Sequence, residues 1–203
     1  MKLIMVRHAL SEENEKGVVC GYRTHGRLSP LGVKQARKTA ERLRRERIDV
    51  IFSSDLRRAV QTARAIAIFH KNVPFIKSKE IRERDYGNLE GWPADEFIRK
   101  RESLGFERHE FRPDGGENYE DVRKRAGRFY MMLTDNYRKK TVLVVSHGEF
   151  ILNLIGLVLG ESPERTGKRK LDNASISIIK IDGKIKAECI NSTEHLMGEM
   201  DEY

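Results

Sequence analysis

Arg7 and His8 stand side by side directly after the apolar run Leu3-Ile4-Met5-Val6. A second histidine, His147, follows the run Val142-Leu143-Val144-Val145 with only Ser146 between. A third apolar stretch ends in Ser53-Ser54-Asp55, with Arg57 and Arg58 just beyond it. Each apolar run reads as a buried strand, so cation-prone side chains are concentrated at three strand ends. Gly148 then opens a helix, and unpaired N–H groups at helix starts favour anions. Arginine forks match phosphate oxygens, so the guest these groups suit is a dianionic phosphate. Taken singly, each has a blander reading: a strand-end histidine is usually structural, Arg58 a surface arginine, Glu83 a solvated acid. The coincidence of three separated strand ends favours the anion site. Histidines and acids also build hydrolytic metal centres. Here no HxH, HExxH or CxxC spacing occurs, and arginine charge beside the histidines opposes a divalent cation. No metal ligands are expected.

The elements that must position these residues alternate between strand and helix. Strands are expected over 2–6, 49–53, 73–76, 141–145 and 175–181, with Asp182-Gly183 turning a hairpin into 185–190. Ser29 as N-cap and Pro30 at the first position start a helix expected to reach about residue 47. Ser54 or Asp55 is expected to cap the next helix, with Ala59, Thr62, Ala63 and Ile66 facing inward. Further helices are expected over 120–138 and from 148 to Gly160. Residues 17–27 read as a loop, and the polar stretch 92–118 as a short helical and loop cap. The tail from Asn191 is polar and is expected to be loose. The pattern predicts a three-layer α/β/α fold, a mainly parallel sheet with helices on both faces, formed by one domain over 1–203 with the cap inserted. In such sheets ligands bind beyond the carboxyl ends of the strands, where Arg7, His8, Arg58 and His147 would meet.

The 203 residues carry 39 Lys plus Arg against 31 Asp plus Glu, a net charge of +8. A solvated basic surface explains that balance, and so does attraction of anionic ligands. Nucleic acid is not favoured: the basic run Arg165–Lys170 has no interleaved aromatic residue for base stacking. The longest nearly apolar run, 151–159, is too short to span a bilayer, and no signal peptide pattern opens the chain. Cys20 and Cys189 have no metal or redox spacing, so a cytoplasmic setting without membrane contact is expected.

Quoted in order, the motifs resemble those of the histidine phosphatase superfamily, also called the phosphoglycerate mutase-like family. They are Val6-Arg7-His8-Ala9-Leu10-Ser11-Glu12-Glu13-Asn14, then Leu28-Ser29 with Gly32 and Gln35-Ala36. SSDLRRAVQTA (53–63), IRERDYGNLEG (81–91), PDGGEN (113–118) and VLVVSHGEF (142–150) follow. The resemblance implies a phosphoryl-transfer enzyme of histidine phosphatase or mutase type, with His8 as nucleophile and a phosphohistidine intermediate. It implies that Arg7, Arg58 and His147 surround the equatorial phosphate oxygens, with Asn14 and the backbone at Gly148 also binding phosphate. Glu83 would protonate the leaving oxygen and later activate water. One departure is Ala9, where the family usually has Gly; a Cβ there would matter if the loop needed φ > 0.

The resemblance admits two outcomes. Transfer to water gives a phosphatase acting on a small phosphorylated metabolite, with no cofactor required. Transfer to a bound phosphoglycerate gives a mutase primed by 2,3-bisphosphoglycerate, and Tyr86 is the position where the chain resembles the mutases. Those are usually longer, with an inserted Arg pair, and carry a Lys where this chain has Pro93-Ala94. The phosphatase is therefore favoured, although Arg99, Lys100, Arg101, Arg108 and Arg112 of the cap are candidates for a carboxylate or second phosphate. A phospho-ligand binding protein without turnover ranks lower, since all five chemical positions are filled. A homodimer is compatible with the sequence.

Overall fold

In a computed structural model, which describes residues 1–197, six strands form one sheet in the order β3-β2-β4-β1-β5-β6. β1 (Lys2–Arg7), β4 (Thr141–Ser146), β2 (Val50–Ser54) and β3 (Phe75–Ser78) run parallel, and β5 (Ile176–Asp182) and β6 (Lys184–Ser192) complete the sheet antiparallel. β4 lies between β1 and β2, pairing Arg7 with Ser146 and Ser53 with Val145. The three sequence-predicted strand ends therefore open on one edge.

Continuous apolar strands are needed here because both faces are covered. Leu3, Met5, Val142 and Val144 pack on one face under α5 (Tyr119–Asn136) and α6 (Gly148–Val158). Ile4, Val6, Leu143 and Val145 pack on the other under α2 (Pro30–Leu43) and α3 (Arg57–Ala67). Burying each such side chain contributes about 1.5–3 kcal/mol, which fixes the register that aligns the strand ends. The remaining helices are short: α1 (Glu12–Glu15), α4 (Ala94–Ser103) in the cap and α7 (Pro163–Gly167).

Several boundaries differ from those expected. α2 stops at Leu43, where Arg44 N–H turns back to Glu41 O and Glu46 N–H to Leu43 O; Ile48 is then buried. β3 begins only after Pro74, whose carbonyl accepts from Ile51 N–H instead of continuing a strand. α3 has Leu56 at its N-cap with no side-chain cap; Ser54 Oγ accepts from Leu56 N–H, and Asp55 is gripped by Arg82 at 2.6 and 2.7 Å. The tail is structured as far as it is described. β6 runs through Ser192, and the turn Glu194–Leu196 docks on α2, with Lys38 Nζ donating to Leu196 O at 3.0 Å. The part of the loose-tail reading that falls on 198–203 lies outside the described residues.

α5 starts one residue earlier than expected because Asn118 forms a reciprocal capping box with Asp121. Asn118→Ala is expected to lower stability by about 1 kcal/mol, read as a shifted denaturant midpoint with unchanged slope.

Candidate active site

His8 leaves β1 with its backbone N–H on Ser146 O, so the β1–β4 ladder itself aims the ring. Its Nδ1 lies 2.8 Å from Ala9 O. A carbonyl only accepts, so Nδ1 carries the proton and Nε2 keeps its lone pair. Arg58 Nε approaches that lone pair at 3.3 Å. The rest of the Arg58 fork is fixed by backbone: Nη1 donates to Thr24 O at 2.5 Å and Nη2 to Gly21 O at 3.0 Å. The 17–27 loop is thus tied over His8, which is only 3% exposed.

Arg7 is anchored by Nη1 to Leu171 O at 2.5 Å. The His147 ring packs edge-on against His8 with centroids 5.0 Å apart, and its Nε2 is 2.9 Å from Ser54 Oγ. Arg7 Nε and His147 Nδ1 are both buried with no hydrogen-bond partner. Buried polar atoms are normally paired, so two orphans beside one histidine mark a place built for a polar guest. Burial, together with Arg58 and Arg7, pushes both imidazoles well below their ordinary pKa, so both are neutral near pH 7.

Glu83 lies on the other side of Gly148. A Cβ on Gly148 would stand 3.5 Å from Arg7 Nε and 3.7 Å from Glu83 Oε2, which locates this glycine between clamp and acid. Glu83 Oε1 accepts from Arg84 N–H at 2.9 Å and Glu149 N–H at 3.1 Å. Burial and the Glu149 carboxylate nevertheless push the Glu83 carboxyl above its ordinary value. Tyr86 donates to Glu149 Oε1 at 3.3 Å, and its hydroxyl is held well above its usual range by burial and both glutamates. Arg7, Glu83, Tyr86, Arg108 and Lys170 line an open cleft of about 220 Å³. A larger groove of about 390 Å³, beside Met1, Arg138 and Ile181, lies apart from these residues.

The structure brings together Arg7, His8, Arg58, Glu83, Tyr86, His147 and Gly148. Asn14 reaches the same centre indirectly: Asn173 Nδ2 donates to His8 O at 3.1 Å and to Asn14 Oδ1 at 3.2 Å, leaving Asn14 its amide hydrogens to donate. Ala9 needs no special backbone, since it is not among the residues with positive φ. Its methyl is buried with Leu28, Ala36 and Ala174, and its N–H donates to Thr62 Oγ1 at 3.1 Å.

Of the five cap cations, Arg108 alone lines the cleft, and it is committed to Glu149 through Nε at 3.0 Å and Nη2 at 2.8 Å. Arg99 pairs with Asp95, Arg101 with Glu102 and Arg112 with Asp121, while Lys100 lies over Trp92. In the basic run near residue 170, Arg165 and Arg169 pair with Glu161 and Lys168 with Glu164, while Lys170 lines the cleft.

Arg84, Arg125, Glu149 and Asn173 carry parts of this centre that the sequence did not single out, and Ser54, expected there as a helix cap, bonds His147. Arg84 is fully buried and ties the cap loop down by donating to Glu117 O, Arg108 O and Phe111 O. Arg125 clamps the acid-bearing segment through the carbonyls of Glu80, Arg82 and Glu83. Their partners are distant in sequence, and no local pattern announces them. Among the described residues no helix is long and apolar enough to cross a membrane. Cys20 and Cys189 are both free.

The profile of the histidine phosphatase superfamily (branch 1) matches residues 3–191. Phosphoserine phosphatase 1 of Hydrogenobacter thermophilus is 36% identical over 90% of this chain and 87% of its own. A 2,3-bisphosphoglycerate-dependent phosphoglycerate mutase of Xanthobacter autotrophicus is 32% identical over 88% of this chain and 91% of its own. That mutase is therefore no longer than this protein in the matched region, and chain length does not separate the two activities. The crystal structure of phosphoserine phosphatase from Entamoeba histolytica with 3-phosphoglyceric acid aligns with a TM-score of 0.83 at 28% identity, covering 97% of this chain and 99% of that one. Strand-end geometry, the paired histidines and these matches agree: the chain belongs to the histidine phosphatase superfamily, branch 1.

Proposed function

We propose that this protein is a phosphomonoesterase for a small phosphorylated metabolite, working through a phosphohistidine at His8. The observation that carries the reading is the tautomer of His8: its proton is on Nδ1, and the lone pair of Nε2 lies among Arg58, Arg7 and His147. Nε2 attacks phosphorus in line, and the phosphorus–oxygen ester bond breaks toward the leaving oxygen, which takes a proton from Glu83. Water then attacks phosphorus and gives its proton to the Glu83 carboxylate, while the phosphorus–nitrogen electron pair returns to Nε2. Arg7 Nε, Arg58 Nε and His147 Nδ1 are the donors offered to the equatorial oxygens, and Asn14 and Gly148 N–H complete the cradle. The scheme uses the tautomer in which the Ser54 O–H donates to His147 Nε2 and the ring proton sits on Nδ1, free for a phosphate oxygen. Entry of phosphate replaces the Arg58–His8 contact with Arg58–oxygen contacts. The arginines supply the counter-charge, so the scheme requires no metal or cofactor, and it places no nucleic acid or membrane in the reaction.

The mutase reading is the alternative, and the relatives at 32% identity favour it. It would use 2,3-bisphosphoglycerate as primer and needs a cation for the substrate carboxylate. The cap's one cleft-lining cation is held by Glu149, which favours the phosphatase; Lys170, from outside the cap, lines the same cleft and is the cation a mutase would have to use. Purified protein is to be incubated with 3-phosphoglycerate, with and without 2,3-bisphosphoglycerate, following free phosphate and 2-phosphoglycerate separately. Phosphate release without primer is expected; primer-dependent 2-phosphoglycerate with little phosphate would replace the phosphatase with the mutase.

A further inference from the structure

Glu149 is the first residue after the glycine that opens α6, and it is 96% buried by virtue of a 4% exposure. A buried carboxylate beside a second one is unfavourable unless it does something in return. Its backbone N–H donates to both oxygens of Glu83, at 3.1 and 3.4 Å. Its Oε1 accepts from Arg108 Nε, Arg108 Nη2 and Tyr86 Oη. Arg108 is itself oriented by two carbonyls, Arg169 O at 2.9 Å and Gly167 O at 3.5 Å. One residue thus holds the acid with its main chain and the cap with its side chain.

We propose that Glu149 and Arg108 act as a positioning pair for Glu83: Glu149 fixes the acid and sets a like charge beside it, and Arg108 anchors that charge to the cap. The inference rests on the reading of Glu83 as acid and base. The surroundings of the two carboxyls differ in a way that separates their protons. Burial works against the ionisation of Glu149, but Arg108 and Arg84 outweigh it and keep it below the ordinary value. Glu83 is pushed up by burial and by Glu149, against the backbone bond from Arg84 and the charges of Arg7 on β1 and Arg58 on α3. The other groups facing the pair are the Tyr86 hydroxyl, the Tyr119 hydroxyl from α5, and Lys170, which lines the same cleft. Arg125 of α5 reaches Glu83 through its carbonyl and pairs with the Glu117 carboxylate. The balance makes Glu83 the more readily protonated of the two carboxyls, and it is the one that faces Gly148 and Arg7.

The test uses Glu149→Gln and Arg108→Gln in the full chain, each checked for folding by circular dichroism. Carboxyl titration of Glu83 is followed by ¹³C NMR, and kcat/KM is measured against pH for an alkyl phosphate and for p-nitrophenyl phosphate. Glu149→Gln removes the like charge, so the Glu83 midpoint and the alkaline limb of the alkyl phosphate profile move to lower pH. Just above the wild-type limb this appears as a roughly tenfold loss on the alkyl phosphate and a clearly smaller one on p-nitrophenyl phosphate. Arg108→Gln uncovers the charge, so both quantities move to higher pH. A merely structural role would not give opposite directions, and an unmoved midpoint, or two shifts of one sign, overturns the pair. Moved midpoints with an unmoved limb refute instead the acid role of Glu83. Should Glu149→Gln fail to fold, the sign of the Arg108→Gln shift decides alone.

Discussion

His8→Ala is expected to abolish turnover, with a loss of at least about 10⁴-fold in kcat, as found when a covalent nucleophile is removed from other enzymes. The loss should not reflect unfolding. The His8 ring contributes one bond to Ala9 O and one contact from Arg58, and Arg58 retains its two carbonyls without it. The strand that carries His8 is held by Leu3, Ile4, Met5 and Val6, which the substitution leaves in place. A stability change on the order of 1 kcal/mol is expected, typical of one lost hydrogen bond. Mixing wild-type protein with ³²P-labelled substrate and quenching in alkali should trap label on the chain, and His8→Ala should trap none. Full turnover by a folded His8→Ala would end the phosphohistidine scheme. The pH profile adds a sign. The nucleophile must be neutral, and burial with Arg58 and Arg7 holds His8 well below its ordinary pKa. Activity should therefore persist as pH falls through the usual histidine range, and the acid limb should lie below it.

What could be read from the sequence follows from how local the signal was. β1 and β4 were legible because a sheet covered on both faces demands unbroken apolar strands, and these two supply them. Their order in the sheet was not in the sequence, yet the site needs it, since only β4 between β1 and β2 brings His8, His147 and Ser54 together. The α6 stop was legible because Gly160 takes φ +67°, which a helix C-terminus favours. The end of α2 was not, because Arg44–Arg47 continue a helix-forming composition and only the tertiary demand for buried Ile48 turns the chain. Ser54 shows the same limit more sharply. Its residue type suits an N-cap, but its hydroxyl is drawn to His147 from 93 positions away. Glu149 did not stand out in sequence and Arg108 stood there only as one of five cap cations; their role appears only when they pair across the cleft. The centre was thus visible at its strand ends, and its supporting shell was not.

Glu83→Gln separates the two steps of the reaction. The amide keeps an oxygen for Arg84 N–H and Glu149 N–H, so the side chain should stay in place. It has no proton to give a leaving oxygen and no basic oxygen for water. In kcat/KM, which reports the first step, an alkyl phosphate should lose about 10²–10⁴-fold, the usual worth of general acid help. p-Nitrophenyl phosphate leaves as a stable phenolate, so its kcat/KM should fall much less. Its kcat should still fall steeply, because water attack on the phosphohistidine lacks its base. The variant should consequently release a burst of p-nitrophenol close to one per active site and then stall with phosphate on His8. Burial and Glu149 raise the Glu83 carboxyl, which keeps it protonated to higher pH and so extends the acid-dependent first step in that direction. As pH rises through the Glu83 pKa, wild-type kcat/KM on an alkyl phosphate should drop while that on p-nitrophenyl phosphate holds. Equal losses on both substrates would remove Glu83 from the acid role. Absence of the burst, with kcat/KM for p-nitrophenyl phosphate spared, would assign activation of water to another group.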